Sequence, residues 1–128
     1  MKLLLDTHSF IWWDSEPAKL SPQVLAACQD PQNILLLSVV SLWEIQIKRQ
    51  LGKIKLALPL QEIVETQQRI NHLEILPVIL PHVLALDNLP PHHKDPFDRL
   101  LIAQAIVEKA VLVSTDPNIA RYPVSILG

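Results

Sequence analysis

The apolar residues of this chain fall into short unbroken runs separated by longer stretches of mixed character. Lys2–Asp6 (KLLLD), Ile34–Ser38 (ILLLS), Glu74–Val78 and Val111–Thr115 (VLVST) are the clearest, and a weaker run, Val124–Leu127, ends the chain. None alternates between polar and apolar positions. Continuous runs of this length suit strands covered on both faces, as in parallel sheets. Between them the apolar residues recur at helical spacing. Ser21-Pro22 offers an N-cap followed by proline at the first helical position, and Pro31 ends that segment. A second helix is expected from Val39 to Leu51, stopped by Gly52 as its C′ residue. A third runs from Leu60 to about His72 after Pro59, and a short fourth opens at Pro81 and extends through Asp87. The fifth, Pro96 to Lys109, is almost wholly apolar between Leu100 and Val107 apart from Gln104, so it should be covered on more than one side. Strands alternating with helices predict an α/β fold, a parallel sheet with helices on both faces and right-handed crossovers.

Composition narrows the possibilities. With 128 residues, 49% of them hydrophobic, the chain is expected to form one domain over 1–128 with an ample core. Eleven bases against 13 acids exclude a strongly cationic, histone-like binder, though not a local basic patch. Two glycines, Gly52 and Gly128, cannot build a glycine-rich phosphate cradle. One cysteine, Cys28, excludes an internal disulfide and a multi-cysteine zinc site. No signal peptide or bilayer-spanning run is visible, which points to a soluble, cytoplasmic protein with no membrane partner.

The chemistry therefore rests on side chains, and four acids stand out. Asp6 and Asp116 lie at the carboxyl ends of the first and fourth predicted strands, where open α/β sheets bind ligands. Glu44 is in the early turns of the helix after strand two, and Asp98 is in the first turn of the long helix, three residues after Asp95. Carboxylates gathered at one edge repel one another unless a cation compensates. An all-oxygen set selects hard ions, Mg²⁺ or Mn²⁺, and such ions suit phosphodiester hydrolysis. Each acid also has a purely structural reading. Ser41-Leu-Trp-Glu44 matches a capping box, and Lys48 is the i+4 partner of Glu44. Asp95-Pro96-Phe97-Asp98 reads as an N-cap, a proline at N1 and an acid favoured by the helix dipole. Asp6-Thr7 could start a helix, and Asp116-Pro117-Asn118 could be a turn.

At these residues the sequence resembles PIN-domain ribonucleases, specifically toxins of VapBC-type toxin–antitoxin pairs. The resemblance spans essentially the whole chain and is carried by Leu5-Asp6-Thr7-His8, Ser41-Leu42-Trp43-Glu44-Ile45, the block from His93 to Ala105 (HKDPFDRLLIAQA) and Ser114-Thr115-Asp116. It implies a three-layer α/β/α fold around a central, mostly parallel sheet of four to five strands. It further implies an acid quartet, Asp6, Glu44, Asp98 and Asp116, holding one or two Mg²⁺ ions (Mn²⁺ as an alternative) that activate water for endonucleolytic cleavage of RNA. Thr7 and Thr115 would supply hydroxyls near the metal or phosphate, and Asp95 would be a neighbouring acid or a helix cap, with the cap favoured. The implied partners are RNA, a small VapB-like antitoxin and a second copy of the chain. Many relatives carry a further acid after the last motif. This chain has Pro117-Asn118-Ile119 there, which bears on a second metal position.

RNA must be drawn to an acidic site by bases. Lys48, Lys94 and Arg99 are the candidates for phosphate contact, with Lys48 equally readable as a helix-terminal cation. Trp12, Trp13 and Trp43 lie beside the motifs, suited to base stacking, core packing or a partner contact. His8, His92 and His93 lack a soft-ligand partner for zinc and read as solvated loop residues, with His8 closest to the site. Two rival functions are another metal-dependent phosphohydrolase or DNA nuclease, and a non-catalytic interaction domain. Setting the four proposed ligands aside leaves 9 acids against 11 bases, so the remainder of the chain is cationic.

Overall fold

The computed structural model describes residues 1–128. Five parallel strands form one sheet: β1 (Lys2–Leu5), β2 (Ile34–Ser38), β3 (Glu74–Leu76), β4 (Val111–Val113) and β5 (Ile126–Leu127). Their order across the sheet is β3-β2-β1-β4-β5. Six helices accompany them: α1 (Thr7–Ser15), α2 (Pro22–Gln29), α3 (Val39–Gln50), α4 (Leu60–Asn71), α5 (Leu80–Ala85) and α6 (Pro96–Glu108).

The unbroken apolar runs are explained by two cores, one on each face of the sheet. Successive strand residues point to opposite faces. Leu3, Leu5, Leu35, Leu37 and Val113 therefore pack with Phe10 of α1, Val24 and Cys28 of α2, and Leu60 and Ile63 of α4. Leu4, Leu36 and Leu112 face the other way, onto Leu101, Ile102 and Ala105 of α6 together with Ile119 and Tyr122. The result is three layers, α/β/α. Burial pushes the Cys28 thiol up to about 11, so this cysteine is a packing residue and not a nucleophile.

Four helices follow the expected spans closely, and the differences have local causes. Ser21 caps α2 by accepting from the Val24 N–H, with Pro22 at the first position. Gly52 follows α3 with φ +74°, the left-handed conformation expected after a helix end. His72 and Lys109 adopt the same conformation after α4 and α6 without being glycine. Strand β3 stops at Leu76 because Pro77 has no N–H to continue the ladder. Helix α1 is signalled only at its start, Asp6-Thr7: its sequence, THSFIWWDS, has little helical periodicity, and the helix is set by Asp6, which accepts from the Ser9 N–H at 2.8 Å. No helix is long and apolar enough to cross a membrane.

Candidate active site

Strand β1 is central, with β2 and β3 on one side and β4 and β5 on the other. The connections therefore reverse direction between β1 and β4, and a crevice opens beyond the carboxyl ends of that pair. Asp6 is the first residue past β1, and its backbone N–H donates to the Val113 carbonyl of β4 at 3.0 Å. Asp116 follows β4 by three residues. A cleft of about 470 Å³ opens there, lined by Asp6, Thr7, Glu44, Lys48, Asp98, Thr115 and Asp116, with His8, Trp12, His93 and Asp95 around them. All four acids singled out in the sequence thus share one cleft.

Each acid is held by a specific neighbour. Asp6 is buried and caps α1 through one oxygen. Glu44 is buried in α3, where its Oε1 accepts from Thr7 Oγ1 at 2.7 Å and its Oε2 pairs with Lys48 one turn on. The capping-box reading of Ser41 and Glu44 does not hold. Ser38 is the N-cap of α3, accepting from the Val40 N–H at 3.0 Å, so Ser41 and Glu44 stand inside the helix. Asp95 is the N-cap of α6, accepting from the N–H groups of Phe97 at 2.8 Å and Asp98 at 3.4 Å. Asp116 Oδ1 accepts from the Asn118 N–H at 2.9 Å, forming an Asx turn that leaves Oδ2 toward the cleft.

Charge accumulates at Asp98. Burial raises its pKa from the ordinary 3.8 to about 6, the repulsion of Asp95, Glu44 and Asp6 adds to that rise, and His93 opposes it. Lys48 is raised as well, chiefly by its hydrogen bond to Glu44, with the Glu44, Asp95 and Asp98 charges adding to it against desolvation. The site is short of positive charge, and the acidic oxygens face the same space.

Among the expected hydroxyls and bases, the placements differ. Thr7 touches Glu44 directly. Thr115 is exposed on the cleft wall, and the neighbouring Ser114 accepts the Asp116 N–H at 3.1 Å. Lys48 lies at the cleft and Lys94 is exposed beside it, without an ion pair. Arg99 departs from the expectation of a phosphate contact: its guanidinium is turned onto the preceding loop, donating to the carbonyls of Pro90 at 2.9 Å and Leu89 at 3.5 Å and to Tyr122 Oη at 3.1 Å. His93 also departs from its reading as a solvated loop residue. Its Nε2 lies 2.9 Å from Asp98 Oδ2 and 3.1 Å from Asp116 Oδ2, and these three side chains form the tightest cluster of potential ligands in the protein. Its place at the head of the His93–Ala105 block, five residues before Asp98, is the sequence signal, and loop conformation decides whether such a residue turns inward.

Known proteins share this sequence pattern and fold. Ribonuclease VapC22 of Mycobacterium tuberculosis (strain ATCC 25618 / H37Rv) is 30% identical over 121 residues, covering 94% of this chain and 91% of that protein. The solved structure of VapBC2 from Rickettsia felis bound to a promoter DNA fragment superposes with TM-score 0.74 at 19% identity, covering 99% of this chain and 98% of that one. DNA-bound VapBC from Salmonella typhimurium gives TM-score 0.70 at 17% identity, covering 99% and 97%. Residues 3–124 match the PIN domain, and this chain belongs to that family.

Proposed function

We propose that this protein is a divalent-metal-dependent endoribonuclease acting as the toxin of a type II toxin–antitoxin pair. The observation that carries the proposal is the convergence of Asp6, Glu44, Asp98 and Asp116 on one cleft at the point where the strand order reverses. Their oxygen donors, with an Asp98 carboxyl raised by burial and by its acidic neighbours, fit a hard cation such as Mg²⁺ or Mn²⁺. When bound there, such an ion supplies a water of lowered pKa and offsets charge on the scissile phosphate.

The protein's own groups prepare that chemistry. Thr7 fixes the Glu44 carboxylate from α1, so two elements set the orientation of one acid. Lys48 keeps its ammonium at the cleft through Glu44, where it draws in the phosphate backbone. Lys94 and Thr115 extend the polar rim. Trp12, half-buried on the cleft wall, offers a ring face to a base. The likeness to a ribonuclease supports RNA as the substrate.

Exposed apolar surface supports protein partners. Trp43 is 61% exposed and lies beside a groove formed with Leu42 of α3 and Leu60 and Val64 of α4, a surface suited to an antitoxin. Leu80, Val83 and Leu84 of α5 are exposed together and suit a second copy of the chain. The VapBC complexes among the structural relatives support the antitoxin assignment. A cytoplasmic site of action accompanies this reading.

The test uses purified protein with Mg²⁺ or Mn²⁺ and RNA and DNA of matched sequence. RNA cleavage is expected, abolished by EDTA and by Asp6→Asn or Asp98→Asn with the fold retained by circular dichroism. Cleavage of DNA alone would replace the ribonuclease assignment with a DNA nuclease. Undiminished cleavage by both variants would remove the quartet from the mechanism.

A further inference from the structure

His93 stands between the third and fourth acids but is not one of the quartet. The ring is largely enclosed, its side chain 14% exposed, although it belongs to the loop before α6. Nε2 approaches both Asp98 Oδ2 and Asp116 Oδ2, at 2.9 and 3.1 Å. The second ring nitrogen, Nδ1, accepts the Asp95 backbone N–H at 3.3 Å. The backbone N–H of His93 donates to Tyr122 Oη at 2.8 Å, and the same hydroxyl accepts from Arg99. The ring is therefore aimed by Asp95 on one side, and its loop is clamped by Tyr122 and Arg99 on the other.

An imidazole beside two carboxylates has two possible roles, nitrogen ligand or hydrogen-bond donor. The contact at Nδ1 separates them. A neutral ring that accepts at Nδ1 carries its proton on Nε2, which then has no lone pair to offer a cation. That Nε2–H points at two oxygens that would otherwise repel each other.

We propose that His93 is a positioning residue for the metal site, its Nε2–H bridging Asp98 and Asp116 so that their carboxylates are gathered before an ion arrives. The inference rests on the reading of the acids as metal ligands. Hydrogen bonds to ligating carboxylates orient them, and loss of such a partner typically costs about 10–100-fold in metal affinity or activity. Arg99 and Tyr122 then act one step further out, by holding the loop that carries His93.

The test is a calorimetric titration of Mn²⁺ into the metal-free full-length chain, its Asp98→Asn variant, and two variants at the histidine. His93→Leu keeps bulk without a donor. His93→Gln places an amide N–H where Nε2 stands. His93→Leu is expected to bind Mn²⁺ about 10–100-fold more weakly, and His93→Gln to recover most of that loss, a rescue that bulk alone would not give. In metal-free protein at pH 8, imidazole ¹⁵N NMR is expected to find His93 protonated on Nε2 only, a readout that needs no variant to fold. Pulsed EPR of the Mn²⁺-loaded parent is expected to detect no directly bound nitrogen. Parental affinity in His93→Leu, a protonated Nδ1, or a bound ¹⁴N that disappears in that variant would each overturn the positioning role. If the parent binds no Mn²⁺, the metal reading itself falls and the inference with it. If the parent binds and Asp98→Asn does not, while His93→Leu matches the parent, only the inference falls.

Discussion

A carboxylate has two oxygens, and at this site most of the acids use one of them locally. Asp6 caps a helix and Asp116 closes an Asx turn, each through Oδ1, so a structural role and a place in the cleft coexist in the same side chain. Asp98 is different, since it caps nothing and is raised to about 6 by burial, then by repulsion from Asp95, Glu44 and Asp6. The sign of its effect on stability follows from linkage. A carboxyl with a raised folded-state pKa binds its proton more tightly folded than unfolded. Its contribution is fully present below about pH 4 and is lost as the pH rises through about 6. Asp98→Asn removes the buried charge and should stabilise the metal-free protein at pH 7 to 8 by about 1–3 kcal/mol, with the gain vanishing near pH 4. Thermal melts of parent and variant across that range in EDTA measure it directly. A variant equally or less stable than the parent at pH 8 would mean that the cleft tolerates this charge without a cation.

At the scale of elements, the start of α6 holds the site together. Asp95 satisfies two otherwise unpaired N–H groups there and also donates its own N–H to His93. Asp95→Ala should cost about 1 kcal/mol in chemical denaturation, while the backbone N–H that holds His93 is retained by the alanine. Retained stability would show that α6 does not depend on this cap. Much of the architecture was legible in the sequence for physical reasons. Strands buried on both faces write unbroken apolar runs, and Ser21-Pro22 and Asp95-Pro96 write their caps in adjacent residues. The four acids were legible because each stands just past a strand or early in a helix, where residue type and place coincide. Helix α1 was legible only at its start, Asp6-Thr7, because nine residues rich in aromatic and β-branched side chains carry almost no periodic signal, and tertiary burial of Phe10 against the sheet decides the outcome. Nor could spacing reveal that Ser38 and not Ser41 caps α3, that Arg99 turns back onto Leu89 and Pro90, or that His93 turns inward. Those outcomes depend on loop paths that local pattern does not encode.

For the whole molecule, topology turns four separated acids into one cluster. The order β3-β2-β1-β4-β5 puts residues from opposite ends of the chain, Asp6 and Asp116, on adjacent strand ends, and α3 and α6 bring Glu44 and Asp98 to the same edge. The net charge of −2 therefore does not describe an acidic surface. It combines a cationic remainder with a concentrated acidic cleft, and one divalent ion would neutralise the total. The central claim is that this cleft is built for a cation. It is tested most directly by thermal unfolding of the metal-free protein against rising Mg²⁺ or Mn²⁺ at constant ionic strength. Binding to the folded state should stabilise the parent by about 2.7 kcal/mol at a hundredfold excess over Kd, with sodium at equal ionic strength ineffective and the Asp6→Asn, Asp98→Asn double variant unresponsive. A parent that does not respond to either ion, or a double variant that responds as the parent does, would contradict it.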